Sequence, residues 1–270
     1  MNFDFSKPGL LFVQMQDIII TTIAFVIPAY FKWFYHVKIK KDILAFPLSD
    51  NAGNKGSLFL HGAEGFNKKD LTVTLLLHGL YGHPCTMLHL AELAQKVDSG
   101  PVFSLYLSYD QNKPETHRSL IDKAIVLIET MVKEKLKGLI MAGHSMGAIE
   151  AAYRAFVEVD PKIISVISIA GRLKVLPSDA RDDCTENFDL SVNQIYAGIQ
   201  SRPDILLFQL AGDKDWIASL DTTIVRKDKK YSHVIKKAMH LNVLFYPEAC
   251  EKFLEYLNES QEACNNRPLA

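Results

Sequence analysis

No charge of either sign dominates this sequence. Thirty basic side chains stand against 31 acidic ones, for a net charge of −1. No basic stripe is visible, so nothing points to a nucleic-acid partner. Cysteine is sparse. Cys85, Cys184, Cys250 and Cys264 are widely spread, with no CxxC pair and no metal-like Cys/His spacing. They read as free thiols, which agrees with a reducing compartment. Internal repeats and low-complexity tracts are missing. What remains is ordinary for a globular protein, with 48% apolar and 23% charged residues. The 270 residues suit one domain with a large core, or a domain plus a short appendage.

The appendage is at the N-terminus. The run from Ile18 to Phe31, IIITTIAFVIPAYF, carries no charge. As a helix it spans roughly 21 Å, short of the ~30 Å hydrocarbon core of a bilayer. If Lys32 snorkels, the run extends through Trp33, Phe34 and Tyr35 to about 27 Å. Lys38, Lys40 and Lys41 then form a basic border. A cleaved signal peptide wants its positive charge before the apolar run, and here it follows. Residues 1–36 are therefore expected to anchor the chain to a membrane, and the competing reading is a helix packed on the body. The lysines on the body's side place residues 37–270 in the cytosol.

Strand and helix patterns alternate through that body. Residues 36–47 and 57–61 read as edge strands. LTVTLLLH (71–78) is continuously apolar, as in a strand buried on both faces. Further strands are expected at 101–108, 138–145, 163–171, 204–212 and 232–238. Helices are expected at about 85–97, at 116–136, after Ser145 and from about 241 to 258. This rhythm predicts an α/β fold, a mostly parallel central sheet with helices on both faces. Ligand sites in such sheets lie at the carboxyl ends of the strands. One stretch, about 172–203, breaks the rhythm and is expected to form a small cap, with a short helix near Leu190–Ile199.

Four pieces of sequence carry chemistry, each at a strand end. Gly143-His144-Ser145-Met146-Gly147 sits between a buried strand and a helix. A GxSxG turn there lifts the serine hydroxyl out of the sheet, and glycines leave room for the sharp turn. His78-Gly79-Leu80-Tyr81-Gly82 follows an earlier strand. Acyl transfer needs two N–H donors aimed at the developing oxyanion, and Met146 and Leu80 are the candidates. Gly212-Asp213-Lys214-Asp215 offers two carboxylates. Of the nine histidines, only His233 and His240 follow them. His240 lies beyond the last strand, where a loop can carry it over Ser145. His233 falls inside the strand.

With those residues in hand, the stretch 72–258 resembles the lipase and esterase branches of the α/β-hydrolase superfamily. The resemblance rests on HGLYG, GHSMG, GDKD and His240 before a C-terminal helix. The superfamily's GxxD pattern selects Asp215 over Asp213. The resemblance implies a Ser145–His240–Asp215 triad, an oxyanion hole from Leu80 and Met146, and no cofactor or metal. Tyr81 and His144 are the expected substrate contacts. A small-molecule or lipid ester is the expected substrate. The same triad serves acyltransferases, and the same fold serves inactive membrane-bound binding proteins.

Overall fold

The computed structural model describes residues 43–61, 66, 71–80, 82, 84–97, 100–108, 114–176 and 186–267. The N-terminal segment and its expected anchor lie outside the described residues. No helix among the described residues is long and apolar enough to cross a membrane.

Eight strands form one sheet: β1 (Ile43–Ser49), β2 (Lys55–His61), β3 (Leu71–Leu77), β4 (Val102–Tyr106), β5 (Leu136–His144), β6 (Ile163–Ile169), β7 (Leu206–Gly212) and β8 (Ser232–Ile235). Their spatial order is β1-β2-β4-β3-β5-β6-β7-β8. β1 and β2 pair antiparallel, and β2 is antiparallel to β4. Every pairing from β4 to β8 is parallel. Among the described residues six α-helices accompany them: α1 (Leu88–Lys96), α2 (Pro114–Val132), α3 (Met146–Phe156), α4 (Glu186–Ser201), α5 (Leu220–Thr223) and α6 (Pro247–Asn265).

The continuous apolarity of the central strands has a plain cause. Every residue of β3 and of β6 is buried, because helices cover both faces. Side chains alternate between two cores. Leu139 and Met141 of β5 join a core with Ile121 and Ile128 of α2 and Ile149 of α3. Ile140 and Ala142 join the other, with Leu90 of α1 and Phe253 and Leu257 of α6. There the Phe208 ring stacks on Tyr256, 4.4 Å between centroids.

The crossover direction reverses around β3, which lies between β4 and β5. A parallel α/β sheet opens a crevice at such a switch point, outside the strand ends. β3 runs into His78 and Gly79 and β5 runs into Ser145, and a Cβ on Gly79 would lie 3.1 Å from that of Ser145, so the two strand ends meet there.

The segment expected as a cap differs from expectation in its second half. Residues 177–185 lie outside the described residues. Helix α4 is core: Val192, Ile195 and Ile199 are buried in the layer that holds α3. A Cβ on Gly198 would come within 2.3 Å of the Phe156 carbonyl oxygen. Arg118 of α2 stitches the layer together, bonding Glu150 of α3 at 2.8 Å and Ser191 of α4 at 3.2 Å. The reason is topological. β6 and β7 are parallel neighbours, so the chain must cross between them, and a packed helix is the usual crossover. The last helix also begins later than expected, at Pro247. A 3₁₀ turn, Asn242–Phe245, fills the interval, and proline is favoured in a helix's first turn because it has no N–H to leave unpaired.

Candidate active site

β5 stops at His144, and α3 starts at Met146. Ser145 alone makes the turn, with φ 54° and ψ −117°, a conformation costly for any residue with a side chain. The surroundings hold it there. Its N–H donates to the Ile169 carbonyl at 2.9 Å, tying the turn to β6. Its carbonyl accepts from the N–H of Ala148 at 3.1 Å, starting the helix. Two glycines make the turn possible. A Cβ on Gly143 would lie 2.3 Å from backbone atoms of Gly147. A Cβ on Gly147 would lie 2.3 Å from the Leu77 carbonyl oxygen. The first turn of α3 thus rests directly on the end of β3.

Ser145 Oγ lies 2.8 Å from His240 Nε2, and His240 Nδ1 lies 2.8 Å from Asp215 Oδ2. A carboxylate only accepts, so Nδ1 carries the proton and donates it. Nε2 is then free to accept from the serine hydroxyl. The second oxygen of Asp215 accepts the N–H groups of Ile217 and Ala218, both at 2.9 Å. His240 and Asp215 are buried, while Ser145 is half-buried.

The loop after β3 crosses above the serine. A Cβ on Gly79 would lie 3.1 Å from Ser145 Cβ and 3.0 Å from His144 Nδ1. His78 pins this loop from below. Its Nδ1 donates to the Gly79 carbonyl at 2.7 Å, and its Nε2 accepts from the Leu107 N–H at 3.1 Å. Leu80 follows Gly79 and is half-buried against the core. Met146 opens α3, so its N–H has no partner within the helix and sits at the positive end of the dipole.

No sequence-family profile and no curated protein matches the chain. Solved structures do. The thermostable carboxylesterase EstE1 from a metagenomic library superposes with a TM-score of 0.60 over 84% of this chain and 90% of its own, at 13% identity. The Pyrococcus furiosus esterase Pf2001 gives 0.61 over 82% and 93%, at 15% identity. The esterase LipW from Mycobacterium marinum gives 0.59 over 90% of each chain, at 16% identity. The chain has the α/β-hydrolase fold.

Asp215, after β7, and His240, after β8, meet beside Ser145. Asp213, the other carboxylate weighed, turns away and accepts the Lys237 N–H. His233 stays on β8 and bonds Glu248 at 2.7 Å. His144 differs from expectation. It was expected to face substrate, but it is buried, and its Nε2 donates to the main-chain carbonyl of His240 at 2.7 Å. The physical reason is position: His144 is the last residue of β5 and stays within the packed sheet, whereas the turn at Ser145 lifts only the serine clear of it. Burial, then the adjacent charge of His240, pushes the His144 imidazole down to about 3, so it stays neutral. Tyr81 lies outside the described residues. Among the described residues, no group of three or more His, Cys, Asp or Glu is placed to hold a metal.

Sequence reasoning missed three contributors. The Ile217 and Ala218 N–H donors are main-chain groups, which no side-chain motif announces. His78 looked like the start of a glycine loop, and its role as a strut between two strand ends depends on β4 lying beside β3.

Proposed function

We propose that this chain is a serine hydrolase that cleaves carboxylic esters through an acyl-enzyme, with lipid-like or acyl esters as substrates. One observation carries the reading: a strained, half-exposed serine hydroxyl is hydrogen-bonded to a histidine that is itself held by a buried carboxylate. The names of the similar structures, all esterases, support the same class.

Ser145 Oγ attacks the ester carbonyl carbon as His240 Nε2 takes its proton. The carbonyl π electrons move onto oxygen, and the N–H groups of Met146 and Leu80 stabilise that charge. The tetrahedral species collapses, the C–O bond to the alcohol breaks, and His240 returns the proton to the leaving oxygen. Water then repeats the sequence and frees the acid. Asp215 stays ionised and stabilises the imidazolium.

Lipid-like substrates agree with the apolar run at Ile18–Phe31, which would hold the enzyme on a membrane with its catalytic domain cytosolic. The test is covalent labelling by a fluorophosphonate probe, followed by turnover of p-nitrophenyl esters of rising chain length. Labelling at Ser145 and rising kcat/KM with chain length are expected. A chain that neither labels nor turns over any ester is a binding protein, and acyl transfer to added alcohol in preference to water makes it a transferase. A version starting near Val37 should leave the membrane fraction in high salt, whereas full-length chain should remain there.

A further inference from the structure

Two loops at the carboxyl end of the sheet lie side by side. One, 213–219, follows β7. The other, 236–245, follows β8. They are stitched by Lys214 N–H to the Ala238 carbonyl at 2.9 Å, by Lys237 N–H to Asp213, and by the Asp215–His240 pair. Their outer surface is unusually apolar. Eleven large apolar side chains stand exposed among the described residues, and five of them are here: Trp216, Ile217, Met239, Leu241 and Phe245. Trp216 is 54% exposed and Met239 50%. Of the other six, Val234 on β8 adjoins these loops, and Leu44, Tyr106, Val126, Val159 and Leu190 lie on or beside other elements.

The face is also basic. Lys214, Lys236 and Lys237 are exposed on the same two loops. Of the acids on or beside these loops, Asp213 accepts the Lys237 N–H, Glu248 pairs with His233, and Asp221 and Glu251 are exposed. We propose that this face docks on an anionic lipid surface, with Trp216 and Phe245 at the acyl boundary and the three lysines on headgroups. Tryptophan suits that boundary because its ring is apolar and its N–H is polar. Lysine stems lie along apolar surface while their ammonium groups reach charge. A second copy of the same face is a poor occupant, because a two-fold contact would set lysine against lysine. Met239 and Leu241 flank the triad histidine, so docking brings the Ser145 opening to the lipid. The inference rests on the hydrolase reading only for what is then presented to Ser145. The docking itself is read without turnover.

The sequence supplies its own probe. Trp33 and Trp216 are the two tryptophans, so full-length Trp33→Phe leaves Trp216 alone. Adding vesicles of mixed phosphatidylcholine and phosphatidylserine should move its emission to the blue and make it quenchable by bromine-labelled acyl chains. The double variant Lys214→Glu/Lys236→Glu should weaken that response at least about tenfold, since each lysine near an anionic leaflet is worth about 1 kcal/mol. Turnover of a soluble short-chain ester should be unchanged in the double variant, which shows that the fold survives. Three results would overturn the proposal. Emission could stay unchanged while the chain sediments with vesicles, which assigns binding to the N-terminal segment. The response could be as strong on phosphatidylcholine alone. Or a blue shift could appear without lipid and grow with protein concentration, which assigns the face to self-association. A chain that docks but hydrolyses nothing fails the hydrolase reading and leaves this one standing.

Discussion

His144 Nε2 donates to the main-chain carbonyl of His240 at 2.7 Å, so the residue before Ser145 holds the loop that carries His240. Its ring sits 5.0 Å from the His240 ring, and its Nδ1 side is against the Gly79 loop. One buried side chain thereby positions His240 against the turn at Ser145. Removing it strands a buried carbonyl, at a cost of about 1–3 kcal/mol. His144→Ala should lower kcat about ten- to a hundredfold with KM little changed, and His144→Gln, which keeps a donor, should recover part of the loss. A drop in melting temperature with kcat and the pH–rate profile untouched would make His144 a packing residue only.

Ser145 should show opposite effects on activity and stability. Ser145→Ala and Ser145→Gly should both abolish probe labelling. Only glycine relieves the backbone at φ 54°, so Ser145→Gly should be more stable than Ser145→Ala by about 1–2 kcal/mol in urea unfolding. Equal stabilities would mean that the elbow carries no strain.

The two carboxylates after β7 should separate cleanly. Asp215→Asn removes the acceptor that fixes the His240 tautomer, and kcat should fall by about 10⁴, the loss known for a comparable triad. Asp213→Asn can still accept the Lys237 N–H and should keep most activity. Steady-state kinetics on one ester decides between them.

Acid should destabilise the fold through buried histidines. Burial pushes His61 down to about 4 and His144 down to about 3 from an ordinary 6.5. Below pH 6.5 the unfolded chain therefore binds more protons than the folded one. Stability rises with pH between about 4 and 6.5 and is lost as pH falls through that window. By pH 5 each histidine should cost on the order of 2 kcal/mol. Urea midpoints at pH 7 and pH 5 should differ accordingly, and His61→Gln should narrow the difference. No narrowing would show that His61 is not among the groups responsible.

Helix α4 should behave as core. Ile195 is fully buried beside α3, so Ile195→Ala should cost about 2–5 kcal/mol. A loss under 1 kcal/mol, with an altered ester chain-length profile, would return this helix to the role of a cap.

The fold and the meeting of Ser145, His240 and Asp215 were legible because both are written in local signals. Buried parallel strands such as LTVTLLL and IISVISI must be apolar at every position, since both faces are covered. The elbow needs glycine at 143 and 147 because backbone passes within 2.3 Å of where a Cβ would stand. The chain order of Ser145, Asp215 and His240 follows the strand order, so sequence alone could rank the candidates. What the sequence could not decide depended on which elements become neighbours. His144 and His240 are 96 residues apart, and only packing brings a buried imidazole to a loop carbonyl. Helix α4 looked irregular in sequence because its buried face is short and interrupted by polar residues. It is core because β6 and β7 are parallel and the chain had to cross between them. The apolar face of Trp216 and Met239 is likewise a product of assembly. Two loops with a few exposed apolar residues each become one surface only when β7 and β8 lie side by side.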